Sequence, residues 1–279
     1  MNSKAIKRQL LAAIAMVLVA AIALGSSTYA WFVASGTVTA EGMKVQAKAE
    51  GGLAIRWAGE TSELWSTSAS ANMTTATKLL PTSTADLAKW TYAKALNDSN
   101  STADAKTYTD VTAKVYSGES GAFATNDYVV MQPFEIRSTS DSTRANGLYV
   151  SGVTVSRTQE KDLDPALRVG VRLVGDKGDV SAKYIYAPIT GFSSSYTWKN
   201  AANENNETAV VLEPYGDGSN GKSQLLSSTT QIPFDKGSAV KVQIFIWYEG
   251  EDATLFSNNY AANDLSVTVT FSCNELPQA

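Results

Sequence analysis

Strict alternation of apolar and polar residues, repeated along the chain, is the feature that most constrains this sequence. Leu265, Val267, Val269 and Phe271 share one face of a run whose other positions are Ser266, Thr268 and Thr270. Met43, Val45, Ala47 and Ala49 alternate in the same way with Lys44, Gln46 and Lys48. A period of two sends successive side chains to opposite faces of a pleated strand, so such runs predict sheets with one face buried. Comparable runs occupy residues 129–136, 148–155, 167–174 and 240–248. Between them lie stretches rich in Gly, Asn, Asp and Ser, at residues 138–147, 176–179 and 216–221, whose side chains favour turn conformations. Many short strands with polar turns predict an all-β fold, a jelly-roll or β-sandwich.

One segment departs from the pattern. Leu87, Trp90, Tyr92, Ala93 and Leu96 follow roughly helical spacing, with Ser83 or Thr84 available as an N-cap, and the expectation is a short helix over residues 83–96. The surrounding residues, about 60–120, are rich in Ser, Thr, Ala and Asn. They are expected to form an insertion of helix and long loops within a single domain spanning residues 31–279, of the kind that carries specific contacts on a scaffold.

The first thirty residues read differently. Lys4, Lys7 and Arg8 precede an unbroken apolar run of fifteen residues, 10–24, which Gly25, Ser26 and Ser27 end. That order is the order of a secretory signal, and the run is shorter than the roughly 20 residues that cross a bilayer comfortably. The expectation is an N-terminal signal helix over residues 1–30, cleaved between Ala30 and Trp31. The alternative is an uncleaved anchor with Tyr29, Trp31 and Phe32 as an aromatic belt at the interface.

Composition narrows the chemistry. Removing Lys4, Lys7 and Arg8 from 23 basic residues leaves 20 against 27 acidic ones, a net charge of −7, which gives no electrostatic footprint for nucleic acid. The chain has no histidine and a single cysteine, Cys273. It therefore lacks the commonest zinc ligand and the usual general base at neutral pH, and a lone thiol closes no intrachain disulfide. Cys273 reads as a half-buried strand residue.

Several motifs fit a chemistry in letters only. Residues 216–223 match the phosphate-loop spacing G-x-x-x-x-G-K-S with Lys222 in the lysine position, but a working loop needs a long following helix, and residues 224–232 are short, polar and stopped by Pro233. Asp217, Ser219 and Asn220 offer oxygens to calcium, as do Glu249, Glu251 and Asp252; neither set has the full alternating ligand ladder, and both are expected to be solvated turns. Phe245, Trp247 and Phe271 read as core or sheet-face residues rather than as a stacking platform for sugars. No acid and base pair stands out, so no residue is assigned a catalytic role and no cofactor is expected.

Residues Ser27, Thr28, Tyr29, Ala30, Trp31 and Phe32 resemble the S-T-Y-A-W-F signal-end motif of a broad class of exported Gram-positive bacterial proteins. Leu80, Pro81, Thr82, Ser83 and Thr84, followed by Trp90 and Tyr92, resemble a recurring segment of that class, as does the run from Ile246 to Asp252. The cysteine usual after the acidic trio is replaced by Ala253-Thr254-Leu255. More distantly, Ala34, Ser35, Gly36, Thr37 and Val38, together with the run at 265–271, resemble the camelysin and TasA family of biofilm fibre subunits. That resemblance implies a jelly-roll subunit whose freed N-terminal strand pairs with the next copy. The assembly strand would run over residues 31–49, with Trp31, Phe32, Val38, Met43, Val45 and Ala47 as its pairing and packing residues. A protease activity described for camelysin finds no H-E-x-x-H here.

The expected protein is thus a secreted, non-catalytic subunit of the cell surface or extracellular matrix. Its partners would be copies of itself and cell-wall or matrix components, with no nucleic acid, and with membrane contact only through the uncleaved signal. The alternative is a monomeric surface module that binds carbohydrate or a host protein through residues 60–120. N-terminal sequencing of surface-extracted protein should read Trp31 first; recovery of Met1 or Asn2 would refute the cleavage reading.

Overall fold

A computed structural model describes residues 44–58, 64–72, 79–95, 106–116, 128–142, 144–157, 165–175, 180–189, 195–212, 223–252 and 265–275. The described chain is mostly strand. Its strands are β1 (Lys44–Ala49), β2 (Leu53–Trp57), β3 (Ser68–Asn72), β4 (Thr82–Ser83), β5 (Thr91–Ala95), β6 (Lys106–Asp110), β7 (Val130–Ser138), β8 (Asn146–Arg157), β9 (Leu167–Val174), β10 (Val180–Tyr186), β11 (Ser195–Lys199), β12 (Asn205–Leu212), β13 (Gln224–Gln231), β14 (Val240–Tyr248) and β15 (Leu265–Glu275). One four-residue helix, α1 (Thr112–Val115), follows β6. No described helix is long and apolar enough to cross a membrane.

The strands form three sheets: five strands in the order β13-β8-β15-β1-β3, seven in the order β11-β12-β10-β9-β14-β7-β2, and three in the order β4-β5-β6. β1 lies inside the five-stranded sheet, antiparallel to β3 and parallel to β15, with Val45 opposite Val267 and Ala47 opposite Val269. The alternation read from sequence is the burial pattern observed. Val45, Ala47, Val267, Val269 and Phe271 are fully buried, while Gln46, Lys48, Thr268 and Thr270 stay partly or wholly exposed.

Apolar residues of both large sheets fill one core, in which Val45, Val267 and Phe271 meet Ile136, Val171 and Ile244. β9 and β14 are buried on both faces. Along β14, Val242, Ile244, Ile246 and Tyr248 enter this first core. The alternate residues Phe245 and Trp247 enter a second one, with Leu87, Trp90, Val111, Val115 and Met131. The chain passes from β1 in one sheet to β2 in the other through Gly51 and Gly52, with φ of 67° and 78°, a left-handed backbone that glycine adopts without steric cost. Cys273 is buried here, its thiol donating to the Gly51 carbonyl oxygen at 2.9 Å.

The helix expected over residues 83–96 does not form. Thr82–Ser83 and Thr91–Ala95 are strands, and the side chains between them capture the amides a helix would need. Thr84 Oγ1 accepts from the Leu87 amide at 3.0 Å, and Asp86 Oδ1 accepts from those of Ala88 and Lys89 at 2.8 and 2.7 Å. Such local bonds compete with helix propagation. Leu87 takes a positive φ of 54° and plugs the outer face of the seven-stranded sheet at Gly170, where a Cβ would stand 2.7 Å from Leu87 Cδ2. Leu87 and Trp90 are buried, as their spacing implied, but by plugging rather than along a helical stripe. Of the residues expected to form an insertion at about 60–120, β3 belongs to the five-stranded sheet, and the three-stranded sheet and α1 line the second core.

Leu87→Ala should therefore cost about 2–5 kcal/mol, the range for truncating a buried leucine, read from urea denaturation. A loss of the size of a surface substitution would show that the plug does not anchor this layer.

Candidate functional site

The most concentrated polar chemistry among the described residues lies where the turn after β14 meets β4. Within β9, whose sequence is LRVGVRLV, Leu167, Val169, Val171 and Leu173 enter the first core. The alternation sends Arg168, Gly170 and Arg172 to the opposite face. There Arg168, 0% exposed, forms an ion pair with Asp252, also 0% exposed. Its Nη1 donates to the carbonyls of Pro165 at 2.6 Å and Leu167 at 3.0 Å. Burying two charges costs several kcal/mol per ion, recovered only with good geometry and further hydrogen bonds, and removing one partner of such a pair costs about 3–5 kcal/mol.

Glu249, fully buried, sits three residues before Asp252. Its Oε2 accepts from Trp247 Nε1 at 3.0 Å, and its Oε1 accepts from the backbone amide of Glu251 at 3.0 Å. The Ser83 hydroxyl also faces it. The Tyr196 hydroxyl, which donates to the Thr84 carbonyl at 2.5 Å, does too. Burial raises the Glu249 carboxyl to about 7, against the opposing pull of Ser83, Trp247, the Glu251 amide and Arg168. Burial and then the Glu249 charge hold the Tyr196 phenol well above its ordinary value. Tyr108 on β6 is likewise raised, by burial and then by Glu251.

The backbone completes the joint. The Glu249 amide donates to the Ala166 carbonyl at 2.9 Å and the Gly250 amide to the Thr82 carbonyl at 3.1 Å, and Thr82 bridges Glu249 in parallel. Four residues farther along the same face of β9, Arg172 donates from Nη1 to the Leu87 carbonyl and to the Tyr116 hydroxyl, both at 2.9 Å, and from Nε to Gln243 Oε1 at 2.9 Å. Its guanidinium lies 4.9 Å from the Tyr116 ring centre and 5.3 Å from that of Phe245. Trp90 meets Trp247 edge-on at 5.2 Å. The arrangement is a wired polar seam holding β4 and its neighbours to the outer face of β9 and β14.

The acidic trio is not the solvated turn the sequence implied. Glu249 and Asp252 are fully buried because Arg168, the Trp247 indole and backbone amides replace water around them. Among the described residues no three His, Cys, Asp or Glu side chains gather as a metal site. Val45 and Ala47 are buried in β1 and paired on both edges within the chain. Ala30, Trp31, Phe32, Val38 and Met43 lie outside the described residues, as do Asp217, Ser219, Asn220 and Lys222. Sequence reasoning missed Arg168, Arg172 and Tyr196; the available signal was two arginines four apart on one face of an otherwise apolar run. The segments 80–84 and 246–252, each quoted for the same resemblance, meet at this joint. No family model and no curated protein matches the chain.

Between pH 4.5 and about 7 the folded chain keeps a proton on Glu249 that the unfolded chain releases. This contribution to stability is therefore full below about 4.5 and is lost as pH rises to about 7, an effect on the order of 3 kcal/mol. Glu249→Gln, which mimics the protonated acid, should flatten that part of the urea-midpoint profile. An unchanged slope in the variant would place the titration elsewhere.

Proposed function

We propose that this chain is a secreted, non-catalytic structural subunit of the bacterial surface or extracellular matrix. In this reading its two large sheets form a β-sandwich or jelly roll, and copies assemble by strand addition. The observation that carries the reading is the place of β1. The first described strand lies between β3 and the last described strand, β15, and is parallel to β15. A strand that completes a sheet between sequence-distant neighbours is held by main-chain bonds and by alternate apolar side chains, and the same segment of another copy supplies both equally well. Withdrawal of β1 would bare the inner edges of β15 and β3, edges that invite pairing with another chain.

The signal-like first thirty residues and the S-T-Y-A-W-F motif support export, and the resemblance to camelysin and TasA supports a fibre subunit. The polar seam at Glu249 is a structural joint in this reading, since its carboxylates are engaged with Arg168, Trp247 and backbone amides.

Electron micrographs of the chain starting at Trp31 should show elongated polymers, shortened by excess synthetic peptide of residues 31–49 but not by a scrambled peptide. Particles that stay monodisperse at all concentrations would sink the reading in favour of a monomeric binding module; polymers indifferent to the peptide would sink strand addition.

A further inference from the structure

The three-stranded layer is tied to Glu249 through a hydroxyl that has a single proton to give. Tyr196, on β11, donates that proton to the Thr84 carbonyl at 2.5 Å, and its oxygen also faces the Glu249 carboxyl. A phenol is one donor, so toward Glu249 it presents a lone pair. The contact is satisfied when Glu249 carries a proton and donates it to Tyr196 Oη. Donation then runs from Glu249 to Tyr196 to Thr84, from the turn after β14, through β11, to the residue that follows β4. Glu249 and Thr84 are both fully buried, so water is no substitute partner for either.

Counting charges leads to the same state. The groups that face Glu249 are Trp247 on β14, Ser83 on β4, Tyr196 on β11, Tyr108 on β6 and Arg168 on β9, with Glu251 and Asp252 in its own turn. Arg168 already pairs with Asp252. An ionised Glu249 would set two fully buried carboxylates against one guanidinium, and it would draw the Tyr196 proton away from Thr84. Burial accordingly holds the Glu249 carboxyl up at about 7. The strap beyond Thr84 is itself strained: Leu87 keeps a φ of 54°, uncommon for any residue but glycine, while Arg172 and Tyr116 grip its carbonyl.

We propose that this joint is a proton-operated latch: a proton on Glu249 keeps β4 and the strap from Thr84 to Trp90 seated on the seven-stranded sheet, and its loss lets them lift as a unit. Lifting brings Glu249 to water, where it titrates at its ordinary 4.5. The opening equilibrium is therefore flat below about 4.5, rises about tenfold per pH unit up to about 7, and levels off above. Acidic surroundings would keep Trp90, Phe245 and Trp247 covered, and neutral ones would let them reach water intermittently. The latch leaves β1 and β15 in place, so it stands or falls separately from strand addition.

The test is amide hydrogen exchange of the purified chain at pH 5 and 7.5, corrected for the intrinsic rate, comparing residues 82–95 with β1 and β15. Protection of residues 82–95 should fall by about 50-fold between the two conditions, while that of β1 and β15 holds. Glu249→Gln, whose amide can donate to Tyr196 as the acid does, should remove the pH dependence and keep the protection seen at pH 5. Tyr196→Phe, which takes the donor from Thr84 at every pH, should lower protection at pH 5. Equal protection of residues 82–95 in the unmodified chain at both pH values would overturn the proposal. So would a fall shared equally by β1 and β15, which would mark unfolding of the whole chain, or an undiminished pH dependence in the Glu249 variant.

Discussion

The ion pair between Arg168 and Asp252 is the constraint on which the outer layer of this protein depends. An arginine on a strand buried on both faces has no route to water, so its charge must be answered locally. Asp252 answers it from beyond the end of β14, which fixes the turn from Tyr248 to Asp252. With that turn fixed, Glu249 and Gly250 present the groups that take β4. A hydrophobic pair of similar volume would fill the space at less electrostatic cost. What it would lack is direction: apolar packing tolerates a sliding β4, whereas a carboxylate held by an indole and an amide does not.

The two cores are coupled through single strands. β14 sends Ile244 and Ile246 one way and Phe245 and Trp247 the other, so a displacement needed to accommodate a change in one core is imposed on the next. Gly170 shows the same economy. It sits opposite the first core, between Val169 and Val171, and its missing side chain is the space that Leu87 occupies. The layer containing Trp90 is thus registered to the seven-stranded sheet twice, by a plug at Gly170 and by the seam at Glu249.

The alternation in β1 and β15 made the first core legible, because a period of two has one structural meaning when one face is apolar. The segment 83–96 was not legible, since spacings of three between Leu87 and Trp90 arise both on a helix and in a turn that drops two side chains into one hollow. What decided between them was the capture of amides by Thr84 and Asp86, a local competition that apolar periodicity does not register. The site was half legible. Glu249 and Asp252 stood out as a cluster, but whether carboxylates are wet or buried depends on a partner, and Arg168 lies 84 residues from Asp252 in the chain. Two arginines within an apolar strand were the mark of that buried demand for negative charge.

The parallel pairing of β1 with β15 also determines how the molecule would bear a load. Six consecutive residues, Lys44 to Ala49, are matched to Ser266 to Phe271. Tension that draws the start of β1 and the end of β15 apart runs along both strands in opposite senses, so the hydrogen bonds between them are strained in shear and share the force, instead of opening one after another like a zip. In a filament or at a cell surface, that geometry would make the junction of the first and last described strands the mechanical clamp of the fold.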